Sequence, residues 1–441
     1  MSKIETFGAR YAALEVLGRF RKDGTWSSAG IDSVIKKYDL SPRDTSLTTR
    51  LSLGVLQNSL LCDYYIDYYS NSKLEPKVRD ILRLGVYQLL FMDKIPSHAA
   101  VSESVALCKE SGFSRASGLV NAILRRVADN LDNLPEIQGK GTAKYLSIKY
   151  SHPEWLVQYV IDKEGYVFSE NFLTANNQTP KLTIQVNLLK ISTEEYAKML
   201  DIADIPYRIV AGLPGCIELE NGKATSLPGF DDGLFYVQDR AARTAVDIVA
   251  PKPGMKVLDA CSSPGGKSFA AAISMENRGS ILSCDIHEKK LGLVQSGAQR
   301  LGIKIISTEA RDARENVDEF HDEFDLVIAD VPCSGLGVIR KKPEIRNKDF
   351  SSLAGLPIIQ RDIINNLANF VKPGGSLLYS TCTILEKENE AIVTEFLSNR
   401  PDFELQSFSI AGVNCDSGMY TFWPNVDGTD GFFVAKLIRK E

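Results

Sequence analysis

Two cysteines of this chain stand in short polar motifs, each at the end of an apolar run: Cys333 in Asp330-Val331-Pro332-Cys333-Ser334-Gly335 after FDLVIA, and Cys382 in Ser380-Thr381-Cys382-Thr383 after SLLY. Free cysteines are usually inert core residues, but loops beyond strand ends are where reacting groups are presented. Cysteine is also intrinsically very nucleophilic once a thiolate forms, and Asp330 sets an acid beside Cys333. A thiol, an acid and a second polar group suffice for one demanding reaction. Cytosine C5 is a poor nucleophile; thiolate addition at C6 turns the ring into an enamine whose C5 accepts a methyl group from a sulfonium donor. A carboxyl group near N3 favours that addition by hydrogen bonding, and a base must then remove the C5 proton so that the thiol is expelled. No metal is required. The residues alone leave open which of the two cysteines attacks.

Such a pair needs a donor held nearby. The run VLDACSSPGGKSFAAA, residues 257–272, is an apolar strand entering a glycine-rich turn and then a helix of small residues. Glycines let the backbone approach a ligand, and a helix N-terminus offers unpaired N–H groups. Gly266-Lys267-Ser268 matches the end of a Walker A loop, but Cys261 stands where its first glycine belongs, which disfavours a phosphate cradle. A dinucleotide oxidoreductase is disfavoured too, since GxGxxG is absent and both cysteine motifs would be idle. Asp285 follows the next strand, 26 residues beyond Asp259, near the spacing at which an acid holds ribose hydroxyls in a doubly wound sheet. Asp312 and Asp330 follow the next two strands. The eight cysteines show no paired spacing of a zinc or disulfide framework.

The elements that must position these groups are legible by period. From residue 235 onward strands alternate with helices, the pattern of a parallel sheet wrapped by crossover helices. Strands are expected at 256–260, 280–284, 303–307, 325–329 and 376–380, helices at 287–301 and 356–370, and a final pair of strands at 408–410 and 432–437 completing the sheet. Residues 9–131 repeat their apolar positions every three or four residues, as a bundle of amphipathic helices does, with breaks at Lys22-Asp23-Gly24, Ser41-Pro42, Glu75-Pro76 and Ile95-Pro96. Residues 132–145 read as a linker. Three domains are therefore expected: all-helical over 1–135, a small α+β segment over 145–234, and an α/β domain over 235–441.

With 441 residues, 44% hydrophobic and 24% charged, the chain has the balance of an ordinary globular protein. Charged residues interrupt the opening stretch, and no apolar run approaches the roughly 20 residues a membrane span needs, so a cytoplasmic protein is expected. The net charge of −5 does not advertise nucleic acid, yet residues 1–135 carry 18 Lys and Arg against 15 Asp and Glu, leaving −8 elsewhere. That asymmetry permits a basic face on the helical part. Arg125 and Arg126, adjacent near a helix end, are its candidate phosphate contacts.

Taken together, these motifs closely resemble the bacterial 16S ribosomal RNA cytosine-C5 methyltransferases of the Sun/Fmu (RsmB) type, and the resemblance spans nearly the whole chain. LDACSSPGGK is similar to that family's cofactor loop LDxCAAPGGK, DVPCSGLGVIRKKPEIR to DAPCSGxGxxRxxPxI, and YSTCTILEKENE to YxTCSxxxxENE. IPSHAAVSESVALCK and GLVNAILRR resemble the RNA-binding domain shared with NusB, and YSHPEWLV, FYVQDRAA and DGFFVAKL follow the family pattern. Departures are Ser262-Ser263 for Ala-Ala, Val331 for Ala, and Gln185 where Arg is common, which removes a possible phosphate contact. The resemblance implies a Rossmann-like methyltransferase domain behind a NusB-like domain, S-adenosylmethionine as cofactor, no metal, 16S rRNA as partner, and a monomer. It implies that Cys261, Ser262, Ser263, Pro264, Gly265, Gly266 and Lys267 form the cofactor loop, that Asp285 binds the ribose, Asp312 lies near the adenine, and Asp330 sits beside methyl group and target base. It makes Cys382 the nucleophile and gives Cys333 a part in product release.

Overall fold

A computed structural model describes residues 8–23, 27–70, 72–220 and 222–441; Gly24 of the first expected break lies outside them. Packing divides the chain into two compact units, one running to Asn177 and taking in Ile339–Lys348, the other comprising Gln178–Val338 and Asp349–Glu441.

The first unit is helical: α1 (Ala9–Asp23), α2 (Ser27–Tyr38), α3 (Pro42–Gln57), α4 (Ser59–Tyr69), α5 (Pro76–Phe91), α6 (Ser97–Glu110), α7 (Ser117–Asp129), α8 (Ala143–Tyr150), α9 (Glu154–Glu164) and α10 (Tyr166–Asn177). Pro42 and Pro76 open α3 and α5, where a missing N–H costs nothing. On α7 the apolar stripe Val120, Ile123, Leu124 and Val127 is buried in the core formed with Ile81, Leu82 and Leu84 of α5. Arg125 and Arg126 fall on its opposite, exposed face. Helices α3 and α5 approach at Gly54, where a Cβ would run into the Tyr87 ring. The segment Ile339–Lys348 was not foreseen as part of this unit. Its Arg346, buried, donates to the carbonyls of Gln57 (2.8 Å), Tyr150 (3.0 Å), Ser151 (3.0 Å) and Asn176 (3.3 Å) and to Asn177 Oδ1 (2.7 Å).

The second unit begins with β1 (Leu182–Val186), α11 (Thr193–Ile202), β2 (Tyr207–Ile209), β3 (Cys216–Leu219) and β4 (Phe235–Val237). The strands form an antiparallel sheet ordered β2-β3-β1-β4. Ser192 and Glu195 cap α11 reciprocally, and its Tyr196 and Leu200 pack on Ile184, Val186, Ile217 and Phe235. Gln185 belongs to the interior: it is fully buried and donates from Nε2 to the Gln238 carbonyl (3.2 Å) and to Cys216 Sγ (3.4 Å). The position faces no solvent, so Gln185 forfeits no surface phosphate contact.

Then follow α12 (Arg240–Val249), β5 (Lys256–Asp259), α13 (Gly266–Ser274), β6 (Ser280–Asp285), α14 (Glu288–Leu301), β7 (Ile306–Ala310), β8 (Phe324–Asp330), α15 (Leu356–Leu367), β9 (Val371–Thr381), α16 (Glu390–Asn399), β10 (Phe403–Leu405), β11 (Phe408–Ile410), β12 (Val413–Cys415), β13 (Met419–Phe422) and β14 (Phe432–Arg439). The large sheet is ordered β10-β14-β9-β8-β5-β6-β7. Strands β7, β6, β5, β8 and β9 run parallel, and β14 is antiparallel to β9. The expected doubly wound α/β architecture is therefore present. One strand expectation fails: residues 408–410 do not join the sheet but pair with β12 in a separate hairpin, turned by Ala411 and Gly412 at φ 52° and 84°. Strands β10 and β13 pair with β14 in their stead.

Candidate active site

From β5 the chain moves outward one way to β6 and β7, and from β8 the other way to β9. The crevice beyond the carboxyl ends of β5 and β8 is the switch point where ligands bind such sheets. All the chemistry-bearing motifs reach this edge. After β5, Ser262 N donates to the Cys284 carbonyl (2.8 Å) and Gly265 N to the Ser262 carbonyl (2.6 Å). Gly265 sits at φ 109°, a conformation open to glycine, and a Cβ there would also meet the Phe269 ring. Beneath the turn, Asp259 is fully buried; Ser268 Oγ donates to it at 2.6 Å and lies 2.8 Å from Ser283 Oγ. Burial pushes the Asp259 carboxyl up to about 7.

A cavity of about 380 Å³ opens on this turn, lined by Cys261, Ser263, Asp285, Asp312 and Asp330 and walled by Ile286, Pro332, Ile359 and Ile363. Carboxylates facing apolar walls suit an adenosyl ligand with ribose hydroxyls, a flat base and a cationic end. Asp285 Oδ1 accepts from His287 N (2.8 Å). Both oxygens of Asp312 accept from Arg314, which holds its carboxyl below the usual range. Of the expected cofactor loop, Ser262, Pro264, Gly265, Gly266 and Lys267 shape the turn without lining the cavity.

Lys267 has a different partner. Its ammonium, nearly buried, donates to Asp330 Oδ2 at 2.6 Å and lies 5.1 Å from the centre of the Phe432 ring. Asp330 ends β8 opposite Ser380 of β9, whose Oγ donates to Oδ1 at 2.8 Å. This register sets the next residues of both strands side by side. Cys333 Sγ and Cys382 Sγ are 3.0 Å apart, and Cys382 N donates to Cys333 Sγ at 3.3 Å. The Cys382 contact, then burial, pushes the Cys333 thiol well above its ordinary value. Ser334 Oγ and Thr383 Oγ1 (2.6 Å) tie the two loops together. Gly337 N donates to the Cys382 carbonyl (2.9 Å), at a crossing with Gly431 that leaves no room for a Cβ. The cysteines at 62, 108, 216, 284 and 415 are buried thiols, as expected of inert ones.

Arg125 and Arg126 lie in the helical unit, not at this site. Gln360 of α15 was missed by sequence reasoning. It is fully buried beside the Cys333 loop, and its signal was its place in the stripe Gln360, Ile363, Ile364, Leu367, where the face of the helix is otherwise apolar. Among the described residues no group of metal-binding side chains forms, and no helix is long and apolar enough to cross a membrane.

Residues 246–438 match the family described as 16S rRNA methyltransferase RsmB/F, residues 8–129 the NusB family, and residues 152–226 the ferredoxin-like domain of RsmF/B-like methyltransferases. The chain is 34% identical to the probable ribosomal RNA small subunit methyltransferase B of Bacillus subtilis, with 98% of each chain covered. To ribosomal RNA small subunit methyltransferase B of Klebsiella pneumoniae it is 31% identical, with 91% of each covered. Among solved structures, PH0851 superposes with a TM-score of 0.80 over 98% of both chains at 27% identity. The fold is shared by NSun6 from Pyrococcus horikoshii, with a TM-score of 0.59 over 66% of this chain and 98% of that one at 21% identity. A carboxylate-lined switch-point cavity beside paired thiols, in a chain 34% identical to a small subunit methyltransferase B over 98% of its length, places it in the 16S rRNA methyltransferase RsmB/F family, with S-adenosylmethionine as its methyl donor.

Proposed function

We propose that this protein methylates C5 of a cytosine in 16S rRNA through a covalent bond between Cys382 and C6 of the base. The observation that carries this is the 3.0 Å approach of Cys382 Sγ to Cys333 Sγ beside Asp330, at the switch-point edge of the sheet. Addition and elimination each need a group at one base, and two thiols in contact can serve both steps. Bound S-adenosylmethionine supplies an electrophilic methyl group. Cys261, Ser263, Asp285, Asp312 and Asp330 hold that donor in the cavity. The target cytosine leaves its stack to enter the site. Asp330, with Lys267 on one oxygen as a proton source, hydrogen-bonds the base at N3 while the Cys382 thiolate attacks C6. Once Cys382 is bound to C6 as a thioether, its thiol contact no longer holds the Cys333 proton in place. Cys333 releases that proton to solvent and, as thiolate, takes up the C5 proton after C5 is methylated; N3 returns its proton to Asp330, the C6–S bond breaks, and the aromatic ring and the Cys382 thiolate are restored. Residues 1–135, with Arg125 and Arg126 exposed on α7, bind the RNA, and residues 145–234 link them to the catalytic domain over 235–441.

Mapping 5-methylcytosine in 16S rRNA with and without the protein tests this proposal. One cytosine that loses its methyl group in the protein's absence is expected; an unchanged map, or methylation at another atom, contradicts it.

A further inference from the structure

The two cysteine loops, tied to each other through Ser334 and Thr383, are each gripped by different buried side chains. Around Cys333, Gln360 Nε2 donates both to the carbonyl of Pro332 (2.9 Å) and to Glu388 Oε2 (2.9 Å), and the same Glu388 oxygen accepts from Ser334 N (2.9 Å). One amide and one carboxylate thus grip the residue before Cys333 and the residue after it. Gln360 and Glu388 are both fully buried, and Tyr379 OH anchors Glu388 through its main-chain carbonyl (2.7 Å). Around Cys382 the grip belongs to Asn389: Thr381 Oγ1 donates to its Oδ1 (2.6 Å), and its Nδ2 donates to the Thr383 carbonyl (3.0 Å). The side-chain hydrogen bonds of Gln360 and Glu388 go to the Cys333 loop and to each other.

We propose that Gln360 and Glu388 are positioning residues for the release step, setting Cys333 for removal of the C5 proton, while Asn389 positions Cys382 for attack. The inference rests on the covalent reaction proposed above. Neither Gln360 nor Glu388 lines the cofactor cavity; they act through the main chain on either side of Cys333. A displacement of a reacting group by about 1 Å costs about 10²-fold in rate. Loss of Gln360 leaves the Pro332 carbonyl without this donor and Glu388 Oε2 with the Ser334 N–H alone, which loosens the Cys333 loop on its Pro332 side, while the bonds of Asn389 to Thr381 and Thr383 remain.

The test uses the full chain with 16S rRNA and S-adenosylmethionine under single-turnover conditions, following methyl transfer and the decay of a denaturant-resistant protein–RNA complex separately. Gln360→Met keeps the volume and removes both donors; methyl transfer at the wild-type rate with decay slowed about 10²-fold is the expected result. Gln360→Glu supplies the signature a merely structural role lacks. Its introduced carboxyl faces Glu388 at hydrogen-bond distance, and two carboxylates so placed ionise one after the other. At low pH, with both carboxyls protonated, the bonds to the Pro332 carbonyl and Glu388 re-form and decay approaches that of the wild type at the same pH; at high pH the pair repels and the complex accumulates relative to wild type. Asn389→Ala, in contrast, slows attack. Equal slowing of transfer and decay in Gln360→Met, or a pH-independent decay in Gln360→Glu, overturns the inference while leaving the covalent reaction standing. A Cys333→Ala control that forms no complex at all removes Cys382 as the nucleophile, and this inference with it.

Discussion

Replacing Asp259 by asparagine should flatten a pH dependence that the buried acid imposes on stability. Asp259 has no solvent contact, and Ser268, Ser283, Lys267 and Asp330 are the polar groups around it. Burial raises its carboxyl from the ordinary 3.8 to about 7. The sign follows from linkage: the folded chain binds a proton that the unfolded chain has released, so the contribution is full below the unfolded value and is lost as pH rises through about 7. At about 1.36 kcal/mol per tenfold change, the whole span is worth about 4 kcal/mol, of which about 3 kcal/mol falls between about pH 5 and about pH 8. The asparagine keeps the shape and an acceptor for Ser268 Oγ but cannot ionise. Urea unfolding of both proteins at several pH values isolates the effect in their difference. Stability of the wild type relative to Asp259→Asn should fall by about 3 kcal/mol from about pH 5 to about pH 8. A difference that stays level, or rises with pH, refutes a neutral Asp259 beneath the cofactor turn.

Three other variants probe the separate parts. Asp285→Ala should weaken S-adenosylmethionine binding by about 1–3 kcal/mol through lost hydrogen bonds, read by calorimetry; unchanged affinity removes Asp285 from the donor site. Arg346→Met strips acceptors on Gln57, Tyr150, Asn177 and the buried Ser151 and Asn176 of a shared donor and should cost about 3–5 kcal/mol in denaturant unfolding; a cost below about 1 kcal/mol contradicts that role. Arg125→Ala with Arg126→Ala should lower RNA affinity and make its salt dependence shallower by about two phosphate contacts; an unchanged slope assigns the pair to a solvated helix end.

Much of the site was legible because its parts are local. A strand, a glycine turn and a small-residue helix are contiguous in residues 257–272, and the strands before Asp285, Asp330 and Cys382 announce themselves by apolar runs, so the sheet edge that gathers them follows from winding rules alone. What was not legible depends on distant partners. Residues 408–410 carry a strand pattern, but Ala411 and Gly412 at positive φ fold them onto Val413–Cys415 before they can reach β14. The role of Arg346 has no local signal, because the carbonyls of α3, α8 and α10 and their turns that surround it are distant in the chain. Gln185 reads as a lost surface contact, although strand alternation in β1 puts it under the sheet, against Cys216 and Gln238. Lys267 reads as part of the cofactor loop, whereas its helix turns the ammonium onto Asp330 of β8.

The covalent step is tested most directly by incubating the full chain with 16S rRNA and S-adenosylmethionine and separating the products by denaturing electrophoresis, for wild type, Cys333→Ala and Cys382→Ala. A denaturant-resistant protein–RNA complex carrying the transferred methyl group is expected in Cys333→Ala, and neither complex nor methylation in Cys382→Ala although that variant still binds RNA. A complex trapped in Cys382→Ala and lost in Cys333→Ala would make Cys333 the nucleophile and contradict the assignment.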